Sequence, residues 1–296
     1  MLIAEIHMST QPIELAAPLA PLATPRPTYL MCPPRLYDVN YVINPWMAGN
    51  VHASSRGRAA QQWHRLYEAL AEVADIELIN PQPGSPDMVF TANAGLAHNG
   101  IVALSSFFHP ERQAEEQHFR RWFQEAGYTI RDIPRETPFE GEGDALFSTD
   151  GTRLWAGHGP RTAAASHHYL SKTWNVDVVP LHLIDPHFYH LDTCFAPLAN
   201  DYILYYPPAF DAASVAKIEA FYPPGKRMIV NESDAKNFAC NAINIGRTII
   251  LNDIGKTLTT QLTAENFNII PVILSEFLKA GGAAKCLVMH LSPNRN

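Results

Sequence analysis

Four stretches of this chain share one grammar: an apolar run, a turn signal, a second apolar run. They are "MVFTANAGLAHNGIVALSSF" (88–107), "ALFSTDGTRLWAG" (145–157), "DTCFAPLANDYILYY" (192–206) and "FACNAINIGRTIILN" (238–252). The turns fall at Asn99-Gly100, Asp150-Gly151, Asn200-Asp201 and near Gly246. Such residues suit hairpins because the tight turns need positive φ, which Gly, Asn and Asp tolerate best. The hairpins start at about 88, 145, 192 and 238, a period of roughly 46–57 residues with little residue identity. A period of this length restricts the fold strongly. Each repeat is one supersecondary unit that has to bury its apolar face against neighbours.

Helical patterns lie between the hairpins. In "GRAAQQWHRLYEALAEV" (57–73), Trp63, Leu66, Leu70 and Val73 fall on one face. "ERQAEEQHFRRWFQEAG" (111–127) reads as a helix closed by Gly127, and further helices are expected at about 161–174, in "DAASVAKIEAFY", at about 257–265 and in "SEFLKAGG". Short strands such as "DIELIN", "YTIRDI" and "VDVVPLHL" follow helices. The last strand, "AKCLVMHL", is expected to pair with "TYLMCPP" (28–34), completing a fifth unit and joining the termini. Closure would remove two exposed sheet edges. The expected fold class is therefore α/β, a fivefold arrangement, with an ordinary α+β sandwich as the alternative. Residues 28–296 are expected to form one domain, and residues 1–27, rich in Pro and Ala, a loose arm.

The net charge of −7, without a basic tract, disfavours nucleic acid and anionic membranes as partners and suits a small cationic ligand. No apolar run approaches the roughly 20 residues of a membrane span. The first basic residue is Arg26, so the N-terminus lacks the basic region of a signal peptide. Cys32, Cys194, Cys240 and Cys286 form no C-x-x-C pair, which predicts free thiols and a cytoplasmic setting. A homo-oligomer is compatible with the sequence.

Polar clusters stand beside the hairpins: Asp87 and Asn93 in "SPDMVFTANAG", then Glu140, Glu142 and Asp144 in "PFEGEGDALF", then His187, His190 and Asp192 in "HFYHLDTCF". Three carboxylates within five residues repel one another and call for a cation, unless they form a solvated acidic turn. The EF-hand ladder is missing. On a strand, His190 and Asp192 would point to one face, where an acid beside an imidazole suits acid–base work. The alternatives are a structural histidine or, with His182 and His187, a zinc site, although the spacing fits no zinc pattern. Cys286, in the apolar run behind Gly281-Gly282, is either a buried core thiol or a nucleophile held on a strand. Together the clusters supply a soft nucleophile, a proton shuttle and a carboxylate cage for a flat cation, which points to a guanidine or amidine substrate.

The set "YDVNYVINPWM" (37–47), "PDMVFTANAGL" (86–96), "FEGEGD" (139–144), "YHLDTCF" (189–195) and "GGAAKCL" (281–287) resembles the guanidine-modifying pentein superfamily. Within it, the pairing of "CPPxxYDVxYVINPWM" with "FEGEGD" resembles the arginine dihydrolase domain of cyanobacterial type. The resemblance spans about residues 28 to 292 and implies a fivefold pseudosymmetric α/β propeller. It implies that Cys286 attacks the guanidinium carbon, that His190 is the acid–base residue and that Asp192 contacts the guanidinium. Glu140, rather than Glu142, is favoured for the catalytic carboxylate. Arg112 in "HPERQAEE" resembles the arginine that receives the substrate carboxylate, or else is a helix-surface charge. Asn44 matches a second asparagine of the dihydrolase type, or else caps the turn before Pro45. Asp87, Glu142 and Asp144 complete the expected substrate-binding set.

Where deiminases carry "FTRD", this chain reads "FTAN", with Asn93 in the place of the aspartate. An amide both donates and accepts, so it could hold the urea-like carbonyl of citrulline for a second attack. The implied activity is hydrolysis of L-arginine to ornithine, carbon dioxide and two ammonia, without metal or organic cofactor. Arginine deiminase, dimethylarginine dimethylaminohydrolase and amidinotransferase activities are the alternatives, and a non-catalytic binding module is a further one. Related dihydrolases often continue into a domain that uses ornithine. With Asn296 as the last residue, that activity is not expected.

Overall fold

A computed structural model of the chain describes residues 26–292. The expected arm, residues 1–27, lies outside the described residues apart from its last two. Among the described residues there are five three-stranded sheets, one for each expected unit. In each, an antiparallel hairpin is followed by a helix and a third strand, which pairs parallel to the middle strand. The first complete unit joins Gly95–His98 to Ile101–Leu104, crosses over Glu115–Glu125 and returns as Thr129–Asp132. The next uses Ala145–Phe147, Arg153–His158, Ser166–Trp174 and Asp177–His182. Then come Phe195–Leu198, Tyr202–Tyr205, Ala212–Phe221 and Arg227–Ile229. The fourth is Ile243–Ile245, Thr248–Leu251, Lys256–Ala264 and Asn268–Pro271.

The fifth unit is split between the chain ends. Met289–Leu291 pairs antiparallel with Thr28–Met31, with Tyr29 opposite His290, and Thr28–Met31 pairs parallel with Asp75–Leu78 after the helix Arg56–Ala71. Joining the ends gives this unit its hairpin. It does not remove sheet edges, because the five sheets are separate and each keeps its own outer strands.

Local chemistry explains the elements. Asn99 and Gly100 both have positive φ, 50° and 70°, as a two-residue hairpin loop needs. Asn200 and Asp201 also take positive φ, 59° and 58°, in the three-residue loop between Leu198 and Tyr202. Ser55 caps Arg56–Ala71, whose Ala59, Trp63, Leu66 and Leu70 are buried at helical spacing. Phe119 and Phe123 anchor Glu115–Glu125 in the same way. Each of these leucines and phenylalanines contributes about 1.5–3 kcal/mol by leaving water.

The approaches to the hairpins are not extended. Thr91–Ala94, Gly141–Gly143 and Leu191–Thr193 are single 3-10 turns that pack on one another, so the polar clusters of three units meet. Two strand expectations are corrected here. Cys286 lies in a turn, with Leu287 N–H donating to Ala284 O, and the strand begins only at Met289. His190 stands just before the 3-10 turn Leu191–Thr193 and Asp192 lies within it, and the two side chains go to different partners, Glu140 and Cys286. A residue in a tight turn is not bound by the period-two alternation of a strand.

Candidate active site

The backbone at Gly281-Gly282 runs hard against the Pro45–Met47 turn. Gly281 has φ +84°, and a Cβ there would sit 3.0 Å from Asn44 Oδ1 and Tyr189 Cε1. At Gly282 a Cβ would lie 2.6 Å from the Phe90 ring. The glycine pair therefore serves close packing around the turn that presents Cys286. That residue is 2% exposed, yet its surroundings are polar. Its Sγ donates to Asp192 Oδ2 at 3.3 Å and accepts from Asn241 Nδ2 at 3.1 Å. Burial, and then the Asp192 charge, push the thiol well above its usual range. Burial also pushes Asp192 up to about 7, against the pull of Lys285. Asp192 Oδ1 has no hydrogen-bond partner among the described residues. Thiol and carboxyl thus share a proton-rich contact with an acceptor to spare among the described residues, and a cation placed beside them would favour ionisation of both.

His190 belongs to a second network. Its Nε2 lies 2.7 Å from Glu140 Oε2, which also accepts from Arg161 Nη1 at 2.9 Å. Burial alone would raise the Glu140 acid. Arg161 and the His190 hydrogen bond outweigh it and hold the carboxyl well below its usual range. An ionised carboxylate only accepts, so Nε2 carries a proton. Asn93 fixes the other nitrogen. Its Oδ1 accepts from Arg112 Nη1 at 2.7 Å, and a guanidinium only donates, so Nδ2 faces His190 Nδ1, 3.5 Å away. Gly143 allows this approach, since a Cβ there would fall 2.5 Å from Asn93 Nδ2 and 3.1 Å from His190 Nδ1.

Cys286, Asp87, Asn93, Arg112, Arg161 and Asn44 line one small cavity of about 10 Å³, room for roughly one water. Ile43 and Met47 line it as well, and an amino acid exceeds this volume, so its admission requires the wall to yield. Asp87 accepts from Tyr41 Oη at 2.9 Å, and its Oδ1 is without a partner among the described residues. Burial raises its carboxyl. Arg112 is buried, not a surface charge. It forks onto Glu115 at 2.8 and 2.9 Å and touches Asp87 O at 3.2 Å. Asn44 reaches the cavity wall with its amide committed: Oδ1 caps Trp46 N and Met47 N, and Nδ2 donates to Ala280 O.

The three acids of "FEGEGD" do not form a single cage. Glu140 takes Arg161 and His190. Glu142 takes Lys285 Nζ at 2.7 Å and lines a separate hollow of about 590 Å³ that does not include Cys286. Asp144 spends both oxygens on Leu191 N and Thr162 Oγ1, and burial pushes it up to about 6. Their mutual repulsion is relieved by divergence. The three histidines diverge as well: His182 pairs with Asp211, His187 with Asp185, and His190 with Glu140. Arg161 and Asn241 are site residues that sequence reasoning missed. Arg161 stands in "GHGPRTAAA" outside any repeated cluster, and Asn241, in "FACNAIN", reads as part of a hairpin strand.

A thiol beside an acid, an imidazole beside a second acid, and five repeated units around them make this a guanidine-modifying pentein. The family model described as N,N dimethylarginine dimethylhydrolase, eukaryotic, matches residues 26–292, and the chain belongs to that family. It is 54% identical over 263 residues to the bifunctional arginine dihydrolase/ornithine cyclodeaminase ArgZ of a Synechocystis strain, covering 89% of this chain. The chain spans 37% of the length of that relative. It is 38% identical to the N(G),N(G)-dimethylarginine dimethylaminohydrolase of Mycobacterium tuberculosis, covering 91% of this chain and 88% of the relative. Among solved structures it resembles the N-terminal domain of ArgZ in a cysteine-to-serine mutant bound to substrate, described as an arginine dihydrolase of the cyanobacterial ornithine-ammonia cycle. The TM-score is 0.89 at 53% identity, covering 90% of this chain and 99% of that one.

Proposed function

We propose that the chain hydrolyses the guanidinium group of L-arginine as an arginine dihydrolase. The observation that carries this reading is the Cys286–Asp192 contact at 3.3 Å, with the second Asp192 oxygen unpaired among the described residues. A flat cation that donates to Asp192 would draw the proton off the sulfur and present its carbon to the thiolate. Sγ bonds to the guanidinium carbon, the proton it gives up passes to His190 Nδ1 while Nε2 stays on Glu140, and His190 hands that proton to the ammonia departing as the C–N bond breaks. The resulting amidino-thioether is attacked by water, His190 takes the water's proton, and the sulfur leaves. Asn93 then retains the ureido product for a second thiol attack and hydrolysis. In total arginine and two waters give ornithine, carbon dioxide and two ammonia.

In this reading Arg112 and Arg161 steady the polar walls, and Asp87 adds a second acidic contact. Residues 28–296 act as one catalytic domain on a small cationic substrate. The four cysteines are free among the described residues, which suits the cytoplasm. No helix among the described residues is long and apolar enough to cross a membrane.

Purified protein incubated with isotopically labelled arginine is expected to yield ornithine and about two ammonia per arginine. Citrulline as the end product would overturn the dihydrolase reading in favour of a deiminase. The 38% identity to a dimethylarginine dimethylaminohydrolase supports a second reading with methylated arginine as substrate. Parallel assays with dimethylarginine separate the two by kcat/KM.

The Asp192 carboxyl, pushed up to about 7, gives a pH prediction. Its ionised form receives the cation. Affinity for arginine is therefore full above that pH and falls as pH drops through it. KM is expected to rise towards tenfold per unit of pH on the acid side. A KM that stays flat from pH 8 to 5 would remove Asp192 from the binding step.

A further inference from the structure

Asn241 is fully buried, and every hydrogen-bonding position of its side chain is used. Oδ1 accepts from the backbone N–H of Ala283 at 3.1 Å and of Cys286 at 3.0 Å. Nδ2 donates to Asp192 O at 3.1 Å and to Cys286 Sγ at 3.1 Å. The amide can sit only one way round, because two backbone N–H groups face one end and both can only donate. The NH2 end therefore has to face the sulfur. Its main chain is tied to the same turn, with Lys285 N–H donating to Asn241 O at 3.2 Å.

The geometry points to Asn241 as a positioning residue for the nucleophile: its carbonyl fixes the Cys286 backbone while its N–H holds the sulfur. This rests on the reading of Cys286 as the nucleophile. The sulfur has two polar partners of opposite kind. Asp192 accepts and therefore matches the thiol. Asn241 donates and therefore matches the thiolate. When Asp192 turns to a bound cation, the Asn241 bond persists and strengthens, because the acceptor is now charged. A purely structural Asn241 would need its carbonyl, for the two backbone donors, and one N–H, for Asp192 O; the second N–H, on the sulfur, would be superfluous.

That difference gives the test. Asn241→Asp keeps the acceptor for Ala283 and Cys286 but exchanges the donor at the sulfur for a carboxylate oxygen. Asn241→Ser removes the donor to the sulfur without adding charge. For both variants kcat on arginine is expected to fall about tenfold to a hundredfold, with KM within about threefold and an unchanged circular dichroism spectrum. Alkylation of Cys286 by chloroacetamidine, a small cationic reagent read by intact mass, is expected to slow by the same factor. Folded variants that keep both rates within about twofold of wild type overturn the inference. If wild type turns over no guanidine but is alkylated at Cys286 in an Asn241-dependent way, the substrate reading fails and the positioning role stands. A wild-type Cys286 that chloroacetamidine cannot label overturns both. Should neither variant fold, nuclear magnetic resonance of the wild type decides. The Asn241 side-chain amide signals shift when Cys286 is alkylated if the N–H holds the sulfur, and unmoved signals overturn the role.

Discussion

Replacing Cys286 by serine is expected to lower kcat on arginine by about 10⁴-fold or more while leaving the fold intact. A hydroxyl is a far weaker acid than a thiol, so a bound cation beside Asp192 does not ionise it, and the neutral hydroxyl is a far weaker nucleophile than a thiolate. Asp192 accepts at 3.3 Å and Asn241 donates at 3.1 Å, so a serine oxygen inherits both partners without leaving a buried group unsatisfied. Binding and chemistry should therefore separate. Calorimetry on the serine variant is expected to give a dissociation constant for arginine within a few-fold of the wild-type KM. Residual turnover above about one hundredth of wild type would mean that another group attacks the carbon.

The repeat was readable because turn chemistry is local. Asn99-Gly100 and Asn200-Asp201 announce positive φ in one dimension, and the spacing of such pairs counted the units. The pairing of Met289–Leu291 with Thr28–Met31 followed from the same count, since a fifth unit lacked only its hairpin. Directions of side chains were not readable. His190 and Asp192 are two residues apart, and alternation would have placed them together. The 3-10 turn Leu191–Thr193 sends one to Glu140 and the other to Cys286. The same limit hid the divergence of Glu140, Glu142 and Asp144, whose partners Arg161, Thr162 and Lys285 are distant in sequence. Arg161 and Asn241 carry no local signal because their roles exist only once separate units have packed.

Under the proposed dihydrolase reading, exchanging Asn93 for aspartate is expected to shift the product from ornithine to citrulline. The amide now offers Oδ1 to Arg112 and Nδ2 towards His190 Nδ1. Aspartate preserves the first contact and replaces the second donor by an acceptor. A guanidinium, which only donates, tolerates or gains from that change. The ureido group left after the first hydrolysis is neutral and bears a carbonyl, and against a carboxylate its oxygen loses a donor and meets an acceptor. Such a mismatch in a buried site costs about 1–3 kcal/mol, roughly tenfold to a hundredfold in retention. The ratio of ornithine to citrulline, measured by chromatography after complete consumption of arginine, is expected to fall by that factor while arginine consumption persists. An unchanged ratio would show that retention of the ureido intermediate depends on other groups, and the asparagine in "FTAN" would lose its part in selecting the product.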